Sequence, residues 1–340
     1  MIISPTFDIA GRPVGGDAPC FIIAEAGVAH FGDFKKALKL VDLAAESGAD
    51  AVKFQIFSVD KLIADEAAEW KNRLGSRSLP PEAFRDLRDY CRERGIIFFA
   101  TAHDDESLDH LEPLNVPVYK IGSGELANPK FIARVAGLGK PVIYSTGLHT
   151  LADVRRSVEA MTSTGNRDIA ILHCVTRYPT PADDVNLRAM TLLQEEFQGV
   201  TGYSDHTAGF HIPLAAIAMG ANIVEKHISL DFNVPNAQDW KVSCGPHDLA
   251  LFIQQAREVE ASLGRRDKQP SSLELQSAAW ARKSLVTTRD IPAGTILTDE
   301  MLTAKRPGTG YPPEMLTELV GKRTSVPLKA DTVVKKEHLS

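Results

Sequence analysis

Eight short β-rich runs recur along the chain, and helical patterns separate them. The runs fall at 21–28, 51–57, 96–102, 118–124, 141–147, 169–175, 200–206 and 223–229. Between the first two lies "DFKKALKLVDLAAESG" (33–48), which opens on an Asp cap and closes on a Gly. Its apolar Phe34, Leu38, Val41 and Ala45 follow helical spacing. "PPEAFRDLRDYCRERG" (80–95) reads as a second helix, and 247–263 as a final one after the eighth run. Eight strand–helix units over about 260 residues is the size of a (β/α)8 TIM barrel. A doubly wound open sheet would announce a Gly-rich phosphate turn after its first strand. Here that strand ends "AEAGVAHFGD", with no GxGxxG.

Polar residues collect toward the C-terminal ends of the runs, where barrels of this type place their chemistry. They are Glu25, then Lys53 and Gln55, then Thr101, then Lys120, Ser123 and Glu125, then Ser145 and Thr146. His173, Thr176 and Tyr178 follow, then Ser204, Asp205 and His206, and finally Glu225 and His227. A single one has a bland explanation, such as a snorkelling Lys or a hydrogen-bonded core His. A ring of them inside an apolar scaffold implies a ligand or metal, because buried charge is costly unless paired. Residues two apart on a strand share a face. Lys53 and Gln55 therefore point together, as do Glu225 and His227. Lys226 then points outward, its stem under a helix and its ammonium reaching solvent or a carboxylate.

His206 and His227 end neighbouring runs and could share one divalent ion, leaving positions for water and substrate oxygens. Two core histidines in separate hydrogen bonds are the alternative. Glu25 or Asp205 could orient an imidazole or a metal-bound water. Without CxxC or HExxH, zinc is not specially indicated; two His with oxygen ligands suit Mn²⁺, with Mg²⁺ or Fe²⁺ as alternatives. Lys53, Lys120, Thr101, Ser123 and Ser204 supply the cations and hydroxyls that a small anion with phosphate and carboxylate groups needs. A Schiff-base aldolase using Lys120 or Lys53 is a second reading.

Composition narrows the setting. Net charge is −6, which gives no support to nucleic-acid binding. No apolar stretch approaches the roughly 18 residues of a membrane span. The start lacks signal-peptide features, and the four cysteines are scattered. A cytoplasmic location is the expectation. From 278 onward there are 10 Lys and Arg against 7 Asp and Glu, a net +3 that leaves −9 for the rest. The division expected is a catalytic barrel at 1–265, a polar linker at 266–279 and a small β domain at 280–340. In the last, "IPAGTILTDEML" (291–302) echoes "LKADTVVKKEHL" (328–339), matching at Ala, Thr, Glu and Leu. Two pseudo-twofold halves are expected.

The motifs "AEAGVAH", "VKFQ", "KIGSGE", "YPTP", "GYSDHT", "EKH" and "KRPGTG" occur in this order. With them the chain closely resembles the sialic acid (N-acetylneuraminate) synthase family over nearly its whole length, tail included. The tail resembles the antifreeze-like (SAF) domain, a β-clip. The resemblance implies condensation of phosphoenolpyruvate (PEP) with an open-chain amino sugar, giving a nine-carbon 2-keto-3-deoxy acid and phosphate. It implies a divalent metal on His206 and His227. It implies PEP contacts from Lys53, Thr101, Lys120, Ser123, Thr176 and Ser204. Gln55, Glu125, Tyr178 and Asp239 would contact the sugar. Arg306 would reach the sugar's acyl-amino group from the other chain of a domain-swapped homodimer. Glu25 would serve as acid/base, with Lys53 and Glu225 as further catalytic groups.

Four departures from the family pattern concern the sugar. Ala29-His30-Phe31-Gly32 replaces the usual Asn-His-Asn-Gly, and Thr176 stands where Asn is common. Trp240 falls where a His is expected, and 64–78 lacks a familiar Tyr-Gln pair. Phe31 and Trp240 would make the pocket more apolar. The expectation is a sugar other than plain N-acetylmannosamine, such as a di-N-acylated deoxyhexose or an unusual hexose; a non-catalytic sugar-binding protein that kept the fold is the further alternative.

Overall fold

The computed structural model describes residues 3–340. It divides into two compact units, Met1–Gly264 and Arg265–Ser340.

The first unit opens with a hairpin that the sequence reading did not anticipate. Strands β1 (Thr6–Ile9) and β2 (Arg12–Gly15) pair antiparallel across Ala10 and Gly11. Both turn residues have positive φ, 53° and 84°, the combination that suits a two-residue hairpin. Asp8 accepts from the Gly11 amide. The Ser4 amide donates to Arg167 O at 2.8 Å and the Ile3 amide to Phe197 O at 3.4 Å. The chain entering the hairpin is thus tied beneath the strands that start after those residues. The hairpin lies at the end of the barrel opposite the site.

Eight parallel strands then close a barrel in chain order. They are β3 (Phe21–Gly27), β4 (Ala51–Ile56), β5 (Ile97–Ala102), β6 (Tyr119–Ile121), β7 (Val142–Ser145), β8 (Ile169–Cys174), β9 (Thr201–Asp205) and β10 (Ile223–His227). β10 pairs with β3 and closes the ring. Each expected run holds one strand, trimmed at its ends. The strands are almost wholly buried, as a sheet covered by helices outside and packed side chains inside requires.

Asp33 caps the first long helix, Phe34–Glu46, by accepting from the amides of Lys35 and Lys36. The face it buries differs from the expected stripe. Ala37, Leu40, Val41 and Ala44 are buried, while Phe34, Leu38 and Ala45 are only partly so. Two small alanines let the helix lie close on the barrel, and the larger Phe34 and Leu38 flank the seam. Helices Pro81–Glu93 and Leu249–Leu263 match the other two expectations closely.

The second unit has a core of Leu285, Ile291, Leu297, Leu302, Leu319, Leu328 and Val334. β11 (Ser284–Thr287) pairs antiparallel with β12 (Leu302–Lys305). The sequence echo is structural. Ile291 and Leu328 exchange hydrogen bonds, N to O, at 2.7 and 2.8 Å. Gly294 and Asp331 both have positive φ, and 3₁₀ turns follow at Asp299–Met301 and Lys336–His338. Each feature recurs at one constant offset, as two pseudo-twofold halves demand. The expected plain linker instead carries two short helices, Ser272–Gln276 and Ala278–Ala281. Ser271 caps the first by accepting from the Glu274 amide, a local signal that the polar composition masked.

Candidate active site

Strand register brings the predicted polar residues into one ring. Glu25 lies beside Lys53 on β4 and beside His227 on β10. Gln55 lies beside Thr101, Thr101 beside Lys120, and Ser204 beside Glu225. A bulge between Glu25 and Gly27 breaks the β3–β4 register where Glu25 turns inward. Gly27 takes φ +52°, and a Cβ there would stand 3.1 Å from Glu25 Oε1 and 3.3 Å from Gln55 Nε2.

These side chains line a cavity of about 420 Å³, within the usual range for small-molecule sites. At its floor Lys53 and Lys120 are 3% and 4% exposed. Lys53 Nζ lies 2.7 Å from Glu25 Oε2 and 3.7 Å from Glu225 Oε2, and donates to Thr101 Oγ1 at 3.1 Å. Lys120 Nζ donates to Ser145 Oγ at 2.7 Å and lies 3.8 Å from Glu225 Oε1. Ser204 Oγ donates to Glu225 Oε1 at 3.1 Å, and Gln55 Nε2 to Glu25 Oε1 at 2.8 Å. Glu225 Oε2 is buried and accepts no hydrogen bond.

The two carboxylates are driven apart. Burial raises the pKa of Glu25 and the Glu225 charge adds to this, against the pull of Lys53. Burial works the same way on Glu225, but Lys120, Lys53 and Ser204 outweigh it and the net shift is down. Two neighbouring carboxyls shifted in opposite directions can hold different protonation states side by side. Lys120 is shifted down by burial, whereas at Lys53 the carboxylates overcome burial and shift it up.

His206, His227 and Tyr178 meet above this floor. The imidazole centroids are 5.3 Å apart, and the Tyr178 ring lies 3.9 Å from His206. His206 Nδ1 donates to Val175 O at 2.7 Å, which leaves Nε2 as the free nitrogen. Burial opposes charge on His206, but Cys174 beside it reverses the sign and the net shift is up. His227 is held well below an ordinary imidazole by burial, then by His206 and the lysines. Among the described residues no cluster of three or more His, Cys, Asp or Glu donors could hold a metal ion. Two nitrogen donors facing one cavity do fit a cation whose other positions come from water and substrate oxygens. A cation there would compete with a proton for the free Nε2 of His206.

Ser123 accepts from the Gly147 amide at 2.8 Å. A Cβ on Gly147 would come within 2.1 Å of Thr176 Oγ1, so this glycine lets both hydroxyls approach. Thr176 and Asp239 line the cavity, the latter shifted up by burial.

Several expected residues lie elsewhere. Glu125 is buried but is not on the cavity wall; its Oε2 accepts from Asn128 Nδ2 at 2.8 Å. Asp205 is turned away, accepting from Lys226, so it orients neither imidazole. Lys226 points outward as expected, yet with no exposure at all, so of its two expected outlets the carboxylate is the one observed. His173 is a core histidine, bonded to Val185 O and stacked on Tyr203. Trp240 donates to Val234 O and does not reach the cavity wall. Phe31 lines an adjoining open groove rather than the cavity. The expected apolar lining by Phe31 and Trp240 is therefore absent, because both rings are used in loop packing. Arg306 belongs to the second unit, where Nε donates to Ala281 O at 3.1 Å and the guanidinium lies over Trp280.

The wall also holds residues that the sequence reading passed over. Trp70, Arg73 and Leu74 come from helix Ala68–Gly75, and Arg77 follows it. They sit in the stretch already marked as departing from the family pattern, which was the available signal. His103 and Cys174 also line the cavity.

Residues 40–268 match the NeuB family and residues 282–340 the SAF domain. The chain is 38% identical to N,N'-diacetyllegionaminic acid synthase of Legionella pneumophila, over 96% of this chain and 97% of that one. It is 36% identical to human N-acetylneuraminate-9-phosphate synthase, over 96% and 94%. A crystal structure of N-acetylneuraminic acid (sialic acid) synthetase from Leptospira borgpetersenii, in complex with citrate, superposes with a TM-score of 0.76. That match has 32% identity and covers 81% of this chain and 96% of that one.

Proposed function

The chain belongs to the NeuB family and carries a C-terminal SAF domain; from that premise we propose that it condenses PEP with an open-chain N-acyl amino sugar. The product is a nine-carbon 2-keto-3-deoxy acid, and phosphate leaves by C–O cleavage. The observation that carries this reading is the meeting of two buried lysines, two oppositely shifted carboxylates and two facing imidazoles in one cavity.

Lys53, Lys120, Thr101, Ser123, Thr176 and Ser204 bind PEP, with the ammonium groups opposite its phosphate and carboxylate. Gln55, Tyr178 and Asp239 orient the sugar, and Glu125 supports its side of the cavity from behind. His206 and His227 would hold a divalent cation, Mn²⁺ or else Mg²⁺, which supplies Lewis acidity toward the aldehyde oxygen. The C2–C3 π pair of PEP forms the new bond from C3 to the aldehyde carbon and leaves C2 cationic; the alkoxide so formed receives the water proton that Glu25 collects in the next step. Water then adds to the cationic C2, and Glu25 takes its proton. Its proton affinity, raised first by burial, makes it the better proton acceptor of the two buried carboxyls. The tetrahedral centre collapses to a ketone: the bond from C2 to the phosphate oxygen breaks, and the C2 hydroxyl proton passes to the departing phosphate. Lys53 and Lys120 stabilise the departing charge, while ionised Glu225 holds both lysines in place. Arg306 would serve the acyl-amino group of a sugar bound by a second copy, in a domain-swapped dimer.

The test is phosphate release from PEP by the purified chain with Mn²⁺, over N-acetylmannosamine and di-N-acylated deoxyhexoses. Release should stop with a chelator and in His206→Ala. No release with any acceptor would sink the reading. The lowered proton affinity of Lys120 keeps a Schiff-base aldolase in view. Borohydride trapping of a lysine adduct would favour that aldolase instead.

A further inference from the structure

Three histidines line the cavity: His103, His206 and His227. The last two would hold the cation, and His103 is left without a part. It directly follows β5, the strand that carries Thr101. Its amide donates to Ile56 O at 3.1 Å, alongside the last residues of β4 and β5. The Phe57 ring meets its imidazole edge-on, with centroids 6.3 Å apart. Asp104, the next residue, accepts from the Ser58 amide at 2.8 Å, and from the Ser107 amide and hydroxyl at 2.8 and 2.7 Å. The imidazole therefore stands on a fixed mount.

The protein makes no use of its nitrogens. Among the described residues neither ring nitrogen of His103 has a hydrogen-bond partner. Both oxygens of Asp104 are engaged elsewhere. His173 and His149 differ: the first bonds Val185 O, the second Tyr144 and Gly147 O. A Cβ on Gly122 would stand 3.7 Å from His103 Cε1, the ring carbon between the two nitrogens. Gly122 itself lies between Lys120 and Ser123. The nitrogen-bearing edge thus lies against the segment that would hold PEP. Burial, then Lys53 and Lys120, hold the ring to a pKa of about 4, against a smaller pull from Asp104. At neutral pH it is uncharged and carries one N–H. Its neighbours are already engaged: Lys53 with Thr101 and Glu25, Lys120 with Ser145, Ser204 with Glu225. A half-buried donor with no protein acceptor is one that a ligand can satisfy. Two ammonium groups beside it draw an anion to that spot.

We propose that His103 is a PEP-binding residue, its ring N–H donating to a phosphate or carboxylate oxygen of PEP. The contact rests on the PEP-condensing reading. It adds a donor that acts by hydrogen bonding, where the lysines act by charge.

The experiment measures PEP affinity by calorimetry on the full chain with Mn²⁺, apart from turnover. His103→Phe keeps a flat ring without the donor and should weaken PEP binding about 10–100-fold. His103→Asn and His103→Gln carry an amide N–H near the reach of Nδ1 and Nε2; one of them should recover part of the loss. KM for the acceptor sugar should stay within about twofold in all three. In ¹⁵N-labelled protein, PEP should shift the ring-nitrogen signals that His103→Phe deletes, a response a purely structural residue would not give. PEP affinity within about twofold of the parent in His103→Phe overturns the proposal. So do unmoved signals, or His103→Asn and His103→Gln both as weak as His103→Phe. A loss that falls on the acceptor KM instead assigns the imidazole to the sugar and also overturns it. Each of these results leaves the condensation standing. If the unaltered chain binds no PEP, the contact and the condensation fall together.

Discussion

Lys226 and Asp205, neither exposed to solvent, form an ion pair on the outer face of the two strands that carry His206 and His227. Lys226 Nζ also donates to Thr207 O at 2.9 Å. Asp205 Oδ1 accepts from the Thr207 amide at 3.0 Å and from Thr207 Oγ1 at 2.8 Å. The pair thus braces the turn on which His206 stands against the strand that ends in His227. Removing one partner strands a buried charge. Lys226→Met or Asp205→Asn should cost about 3–5 kcal/mol of unfolding free energy, read from denaturant midpoints. Replacing both with apolar residues should restore much of it. A single variant as stable as the parent would remove the bracing role.

Glu25 provides a pH test. A general base must be deprotonated, and this one has its pKa raised, first by burial. Activity should therefore fall with decreasing pH through a limb that lies above the range of a free glutamate. Glu25→Gln should lower kcat by about 10²–10⁴-fold and flatten that limb. A limb that persists in the variant would belong to another group.

Gly147 sets the spacing of two hydroxyls. A methyl group there would lie 2.1 Å from Thr176 Oγ1 and 2.8 Å from Ser123 Oγ. Gly147→Ala should reduce kcat/KM for PEP by up to about 100-fold, with a lowered thermal midpoint from overpacking, about 1–3 kcal/mol. Unaltered kinetics would show that neither hydroxyl contacts PEP.

His30, fully buried and with no partner for Nε2, is depressed to a pKa of about 4, chiefly by burial. The unfolded chain binds that proton near pH 6.5. Stability is complete above 6.5 and declines as pH falls toward 4, because the unfolded state then holds the extra proton. The contribution is on the order of 3 kcal/mol across that window. His30→Gln should flatten the slope of stability against pH in part; His103, also lowered to about 4, retains some of it. An identical slope in the variant would reject the assignment.

The barrel was legible because each strand–helix unit repeats a pattern that is strong locally: a buried β-rich run, a cap, an amphipathic helix. The site was legible where strand alternation suffices. Lys53 with Gln55, and Glu225 with His227, share a face by the period of two, and all four line the cavity. Reading failed where loops decide. Phe31 and Trp240 were expected on the cavity wall, yet Lys36 and Arg77 flank one ring and Val234 O holds the other. Glu125 sits in a 3₁₀ turn rather than a strand, so alternation does not apply to it.

By itself, then, the sequence determined the repeating units, the inward or outward sense of strand residues, and the echo within the tail domain. Those properties follow from local periodicity and short-range hydrogen bonding. Only the tertiary structure decided that Asp205 neutralises Lys226, that Glu25 and Glu225 shift in opposite directions, and that Arg73 and Arg77 join the cavity wall. The third depends on a loop helix meeting strands distant from it, and the first two on charges distant in sequence coming together in a low-dielectric interior. There, coupling is set by distance and burial, and chain position does not encode either.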